Sequence, residues 1–319
     1  MITKPTTFVV GAGASHVYGL ALGNTLLEVA RKLGPQTHPD AFHMLRLATA
    51  PSDVNLMFEA LAAMEVFSGS SIDDFIAKGD QPKFAPIAKG LVAMVLGGQQ
   101  LRFRPGSRDT PEDWLRCVAA LMADGTRSPA ECLAGNRVKF VTFNFDSLIE
   151  NHLSALLQNY FPGRPLHRAA LLEAVPVIHV HGVLPPTPPA PPREPRAGFE
   201  DADPMWVTWL TEAWRHIRVI TDDGVPDVLA EAQRAVEWAD LACFLGFGFN
   251  ERNFKHLGFS LVAPPENRTR RVMISAIGAT GRQRQWIQRC GVLAGYPQPL
   301  IGGLNDSCAS LIDAHDVIR

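Results

Sequence analysis

Several stretches of the chain combine glycine with side chains able to hold a nucleotide and move a proton. Gly11-Ala12-Gly13-Ala14-Ser15 follows an apolar run. Glycines there let the backbone approach a pyrophosphate, and amides of the turn and the following helix supply donors. In Thr142-Phe143-Asn144-Phe145-Asp146, strand alternation puts residues 142, 144 and 146 on one side if the extended geometry persists. Asn144 offers a carbonyl and an amide to a sugar hydroxyl or a water. The plainer use of an Asn/Asp pair at this place is to cap the helix that follows. In His179-Val180-His181-Gly182, His181 is the candidate general base, with a near-neutral pKa and a glycine behind it that leaves room for a ligand. His179 is expected to be a satisfied core histidine, and the two histidines lack a third partner at metal-site spacing. Leu245-Gly246-Phe247 again permits backbone approach to a ribose or phosphate, or simply makes a tight turn.

These residues need a frame that brings them together. The near-continuous apolar runs Thr7–Val10, Val138–Phe143, Val175–Val180, Leu241–Leu245 and Val272–Ile274 predict buried parallel strands, covered on both faces. Helices are predicted over Thr25–Leu33, Ser147–Asn159, Pro226–Asp240 and Arg282–Arg289. The alternation gives an α/β class, a Rossmann-like and mostly parallel sheet flanked by helices. The strands run into Gly11, Asn144, His181, Gly246 and Ser275, and ligands of open parallel sheets bind beyond such ends. Between Gly34 and Gly135 the pattern is helical only, at Met44–Ala50, Val54–Val66, Ile72–Lys78, Ile87–Leu96 and Trp114–Ala123. The expected organisation is a core over residues 1–34 and 136–319, with a helical insertion over 35–135. Pro185–Arg196 is dominated by proline and predicts an extended polyproline-II loop.

Composition narrows the field. The 319 residues are 46% hydrophobic and 19% charged, with ample apolar surface for a folded core. Thirty basic residues against 32 acidic ones leave a net charge of −2, so no direct nucleic-acid binding is expected. The five cysteines show no Cys-x-x-Cys spacing, so no zinc is expected, and scattered thiols suit a cytoplasmic setting. No export or membrane segment is expected, because Phe8–Ala14 is too short and glycine-rich, and Ala85–Leu96 is short and broken by Lys89. No Gly-Lys-Ser/Thr follows the glycine turn, which excludes a P-loop. His16 stands where a dehydrogenase fingerprint has its third glycine, and no acidic strand end follows about 20 residues on, which disfavours hydride transfer.

Taken in order, Gly11-Ala12-Gly13-Ala14-Ser15, Ser71-Ile72-Asp73-Asp74-Phe75, Thr142-Phe143-Asn144-Phe145-Asp146, His181-Gly182 and Leu245-Gly246-Phe247 resemble the sirtuin-like NAD-hydrolysing domains of bacterial anti-phage systems. The resemblance implies a Rossmann-like core with a helical insertion, and NAD as substrate rather than as a cofactor. It implies that Asn144 and His181 form the catalytic pair. The glycine turn of Gly11, Ala12, Gly13, Ala14 and Ser15 would hold the NAD phosphates, with Gly246 and Phe247 beside the ribose. The zinc-binding cysteines of deacetylase sirtuins are missing, which excludes a zinc-dependent protein deacetylase. Ser275 occupies the place where deacetylases carry an Asn near the adenosine.

The reaction expected on that basis is NAD+ glycohydrolysis to nicotinamide and ADP-ribose, in an NAD-depleting effector of anti-phage defence. Asn144 would position the ribose or the attacking water, His181 would accept a proton, and Asp146 would contact the nicotinamide carboxamide. Such an enzyme is expected to work under an activating partner protein or as a homo-oligomer. The alternative is a non-catalytic NAD or ADP-ribose sensor, or a regulatory subunit, using the same pocket. A scaffold role would rest only on the arginines around the fifth strand, among them Arg271, Arg282 and Arg284, whose plainer use is a solvated face.

Overall fold

A computed structural model of the chain describes residues 1–69, 71–78, 82–107, 109–187, 204–218, 225–249, 251–258, 271–277, 279–293, 300–303, 305–314 and 318. In chain order its elements are β1 (Thr6–Val10), α1 (Ala12–His16), α2 (Gly23–Lys32), α3 (Pro39–Thr49), α4 (Val54–Val66), α5 (Ile72–Lys78), α6 (Ala85–Arg102), α7 (Trp114–Ala123), α8 (Pro129–Gly135) and β2 (Val138–Thr142). There follow α9 (Leu148–Tyr160), α10 (Arg168–Ala174), β3 (Val177–His179), α11 (Pro204–His216), α12 (Val225–Trp238), β4 (Leu241–Leu245), α13 (Glu251–His256), β5 (Arg271–Ile274), α14 (Gly281–Leu293), β6 (Leu300–Ile301) and α15 (Cys308–Asp313).

The strands form a 6-stranded sheet in the order β3-β2-β1-β4-β5-β6, with every neighbouring pair parallel. Strand order reverses between β1 and β4, and that reversal is the switch point at which open α/β sheets bind ligands. All five residues of β1 and of β4 are buried, because both faces of the sheet are covered. On one face, Val9, Val141, Ile178 and Phe244 pack with Ala232 and Val236 of α12, and the Thr7 hydroxyl donates to Ala235 O at 2.7 Å. On the other, Phe8 stacks on Phe140 at 5.2 Å, and Trp114 of α7 lies 6.4 Å from Phe140. The chain is therefore an α/β protein with a Rossmann-like parallel sheet flanked by helices. Among the described residues no helix is long and apolar enough to cross a membrane.

The expected strands all form, with two differences. The third is only Val177–His179: Pro176 lacks the N–H to extend the ladder, although its carbonyl accepts Phe140 N–H and Val180 N–H donates to Thr142 O, both at 2.9 Å. The sixth, β6, has two residues and no sequence signature. Most of the proline-rich stretch, residues 188–196, lies outside the described residues.

The chain folds as two compact units. The first comprises Met1–Tyr18, Arg104–Val180 and Pro226–Arg319, and holds the sheet. The second comprises Gly19–Phe103 and His181–Val225. In the second, α2 packs on α4, α5 and α6, while α11 packs on α3 and α6. These units do not divide at residues 35 and 135. Helix α2 shares its apolar face with the helices that follow it, whereas α7 packs against α9 and α15, and α8 against α10.

Candidate functional site

The glycine turn sits at the switch point. Gly11 N–H donates to Leu245 O at 3.0 Å, and Gly13 N–H donates to Gly246 O at 3.1 Å. A Cβ at Gly11 would lie 2.6 Å from Gly246 O, and one at Gly13 would lie 2.9 Å from Gly246 Cα. Gly246 itself has φ +55, and a Cβ there would collide with Ala14 N. These glycines are needed because two backbones touch where β1 and β4 end. Ala14 N–H is taken by Gly11 O at 3.0 Å, so neither Gly13 nor Ala14 offers its amide to a phosphate in this conformation. The accessible part of the turn is half-buried Ala12 and exposed Gly13. Ser275 fixes the same corner, since its hydroxyl accepts Gly246 N–H at 2.8 Å and its N–H donates to Phe244 O at 2.8 Å. Phe247 is a core ring, packed on Phe143 and Phe249 at 5.2 and 5.1 Å.

One strand away, β2 ends at Thr142 and the chain bends at Phe145, and the polar side chains of this segment meet Ser15. Asn144 N–H donates to the Thr142 hydroxyl at 3.1 Å. The Asn144 amide donates to Ser15 Oγ at 2.9 Å. Ser15 in turn hydrogen-bonds the Asp146 carboxylate, which forms a buried chain from amide to hydroxyl to carboxylate. Asp146 also accepts Leu148 N–H at 3.1 Å, so the capping role at the start of α9 is filled by one of its oxygens. Burial pushes the Asp146 carboxyl up from 3.8 to about 6, against the pull of Leu148 N–H, His179 and Ser15.

His179 is satisfied at both ring nitrogens, as expected of a core histidine. Its Nδ1 lies 3.2 Å from Asn144 O, and its Nε2 lies 2.7 Å from Glu150 Oε1. A carbonyl and an ionised carboxylate only accept, so this geometry favours an imidazolium that donates from both nitrogens. Burial alone would lower its pKa, but the hydrogen bond and charge of Glu150, with the Asn144 carbonyl, lift it above the ordinary value. His179 thereby ties down the carbonyl of Asn144, whose side-chain amide is held by Ser15.

A second buried network supports the turn. Asp113 caps α7 by accepting Arg116 N–H at 3.0 Å, and accepts the Tyr18 hydroxyl at 2.8 Å. His152 Nδ1 accepts Gly106 N–H at 2.9 Å, so its Nε2 carries the proton and donates to Asp113 at 2.9 Å. Burial would raise the Asp113 carboxyl, yet the hydrogen bonds from His152 and Tyr18 hold it below the usual range. Trp114 Nε1–H reaches Ala14 O at 2.8 Å, which ties α7 directly to the glycine turn.

His181 opens the later of the two chain segments that make up the second compact unit. Its carbonyl accepts Arg218 N–H at 2.8 Å. Gly182 has φ +81, and a Cβ there would collide with His216 O, so that glycine serves the backbone rather than space for a ligand. The first unit thus unites Gly11, Ala12, Gly13, Ala14, Ser15, Asn144, Asp146, Gly246, Phe247 and Ser275 at the carboxyl edge of its strands, while His181 falls in the second. Sequence reasoning passed over Glu150, Asp113 and His152, and so the network that Tyr18 joins. The one local signal was Asp113 standing as a helix cap before Trp114. No protein-family model matches the chain, and no curated protein matches it.

Proposed function

We infer that the chain hydrolyses NAD+ to nicotinamide and ADP-ribose. The observation that carries this reading is the buried chain Asn144–Ser15–Asp146, set at the carboxyl edge of the sheet one strand from the switch point. The pyrophosphate is assigned to the accessible part of the glycine turn at Ala12 and Gly13, where a side chain is small or absent. The N-glycosidic bond breaks with its electron pair passing to the pyridinium nitrogen, which leaves as neutral nicotinamide. A water oxygen forms the new bond to the ribose carbon and its proton goes to His181. Asn144, held at its amide by Ser15 and at its carbonyl by His179, orients the ribose or that water without reorganising during the reaction. Asp146 is assigned to the nicotinamide carboxamide, and its raised pKa suits a carboxyl that exchanges between donor and acceptor near neutral pH. Control by an activating partner or by self-association, in anti-phage defence, belongs to the same proposal.

The roles are separated by kinetics. His181→Ala should lower kcat by at least ~10²-fold, the lower range for general-base help, with NAD+ affinity nearly unchanged. Asn144→Ala should lower kcat and affinity together. A His181→Ala protein that loses NAD+ binding but keeps its turnover at saturation would contradict the assignment.

A further inference from the structure

Strand β3 lies at the edge of the sheet, and the outer side of its backbone is unspent. The β2–β3 register, with Phe140 N–H on Pro176 O and Val180 N–H on Thr142 O, turns the polar backbone groups of Ile178 toward β2. Backbone direction alternates along a strand, so the N–H and C=O of Val177 and the N–H of His179 point away from the sheet. Among the described residues these three groups have no hydrogen-bond partner. A buried backbone group without a partner is rare, so they meet solvent. Val177 and His179 are half-buried and line an open groove between Leu172 of α10 and Val228 and Glu231 of α12.

Charge and alternation define what fits there. Glu231 is exposed on the groove, and exposed Glu173 and Asp227 stand next in the chain to the lining residues Leu172 and Val228. Among the described residues none of the three acids is in an ion pair. His179 turns its side chain toward α9, where it meets Glu150, whereas Ile178 packs in the core with Ala232 and Val236 of α12. Registered residues of neighbouring strands share a face. On an added strand, the residue opposite Ile178 therefore lies on the side of α12 and Glu231, and its two neighbours lie on the side of Val177.

We propose that the edge of β3 takes up an extended segment of a partner protein as a seventh strand, with a lysine or arginine opposite Ile178 and an aliphatic residue on either side. Main-chain hydrogen bonds to Val177 and His179 hold the segment, and the acidic rim selects its charge. A second copy of this chain fits less well. Edge to edge it would bring two acidic rims together, and Val177–His179 carries no lysine or arginine to offset them.

The test is titration of the 319-residue chain with acetyl-Thr-Val-Lys-Val-Thr-amide, followed through its backbone amide signals by NMR. Saturable shifts of the Val177 and His179 amides are expected. The same peptide with glutamate for lysine should bind about fivefold more weakly, and Glu231→Gln should weaken the lysine peptide by about threefold. Val177→Pro leaves the ladder to β2 intact but removes an outward N–H and puts its ring at the edge, so it should abolish binding, with circular dichroism confirming its fold. Equal affinity for the two peptides, undiminished binding in a folded Val177→Pro protein, shifts confined to residues away from β3, or no saturable binding would each overturn the proposal. A dimer of the natural chain that Val177→Pro dissolves would give the edge to a second copy and overturn it too. If Val177→Pro fails to fold, the peptide pair and Glu231→Gln decide. The readout is peptide binding and no group assigned to contact NAD+ is altered, so this proposal and the NAD+ reading fail separately.

Discussion

Ser15, Asn144, Asp146, His179 and Glu150 are buried or nearly so, and apart from Glu150 Oε2 they bond mainly to one another. Such a cluster is costly unless satisfied, and this one holds Asn144 by its amide, its N–H and its carbonyl. Asp146 gives the cluster a measurable titration. Its folded pKa is raised, so its contribution to stability is fully present below about pH 4 and is lost as pH rises through about 6. Holding the carboxylate ionised at neutral pH costs about 3 kcal/mol. Asp146→Asn should therefore be more stable than the natural protein at pH 7.5, by up to ~3 kcal/mol, and the gain should vanish near pH 4. Urea denaturation across that range checks the sign. A gain that grows as the pH falls would contradict a carboxyl raised by burial.

At the scale of elements, what matters is how tightly β1 and β4 meet. The turn after β1 gives Gly13 N–H to Gly246 O, Ser275 holds Gly246 from β5, and Trp114 holds Ala14 from α7. Gly246→Ala would force a side chain into a positive-φ backbone already pressed against Ala14, and should cost at least ~2 kcal/mol. A melting curve measures it, and an unchanged transition would mean that the two turns separate at little cost. Helix α7 is held in turn by Asp113, which its cap, Tyr18 and His152 all share. Asp113→Ala removes the cap and leaves the Tyr18 hydroxyl and the His152 N–H without their acceptor, a loss of ~3 kcal/mol. Asp113→Asn, which can still accept, should lose less in the same denaturation assay.

At the scale of the molecule, the second unit is made of two chain segments, 19–103 and 181–225, and α11 is what the later one contributes to α3 and α6. Trp206 on α11 is 4% exposed, so Trp206→Ala should destabilise that unit by ~3–5 kcal/mol, seen as an earlier unfolding transition by tryptophan-independent circular dichroism. The α/β class was legible because fully covered strands write uninterrupted apolar runs, as Leu241–Leu245 does. Two-residue β6 was not, since Leu300 and Ile301 carry no period. The unit boundaries were hidden because packing, not composition, assigns α2 to one unit and α7 to the other. In the site, Asn144 and Ser15 were both legible from motifs, but their hydrogen bond spans 129 residues and no spacing rule could supply it. That His179 is satisfied was legible, but its partner Glu150 was not, because Glu150 lies on another element.

The central claim is tested most directly by incubating the pure 319-residue chain with NAD+ and separating the products by chromatography, beside an Asn144→Ala control and with self-association tracked by light scattering. The account predicts equimolar nicotinamide and ADP-ribose from the natural protein, and loss of both in the control. NAD+ recovered intact from a chain that binds it tightly, in every assembly state it forms, would contradict hydrolysis and leave a binding protein in its place.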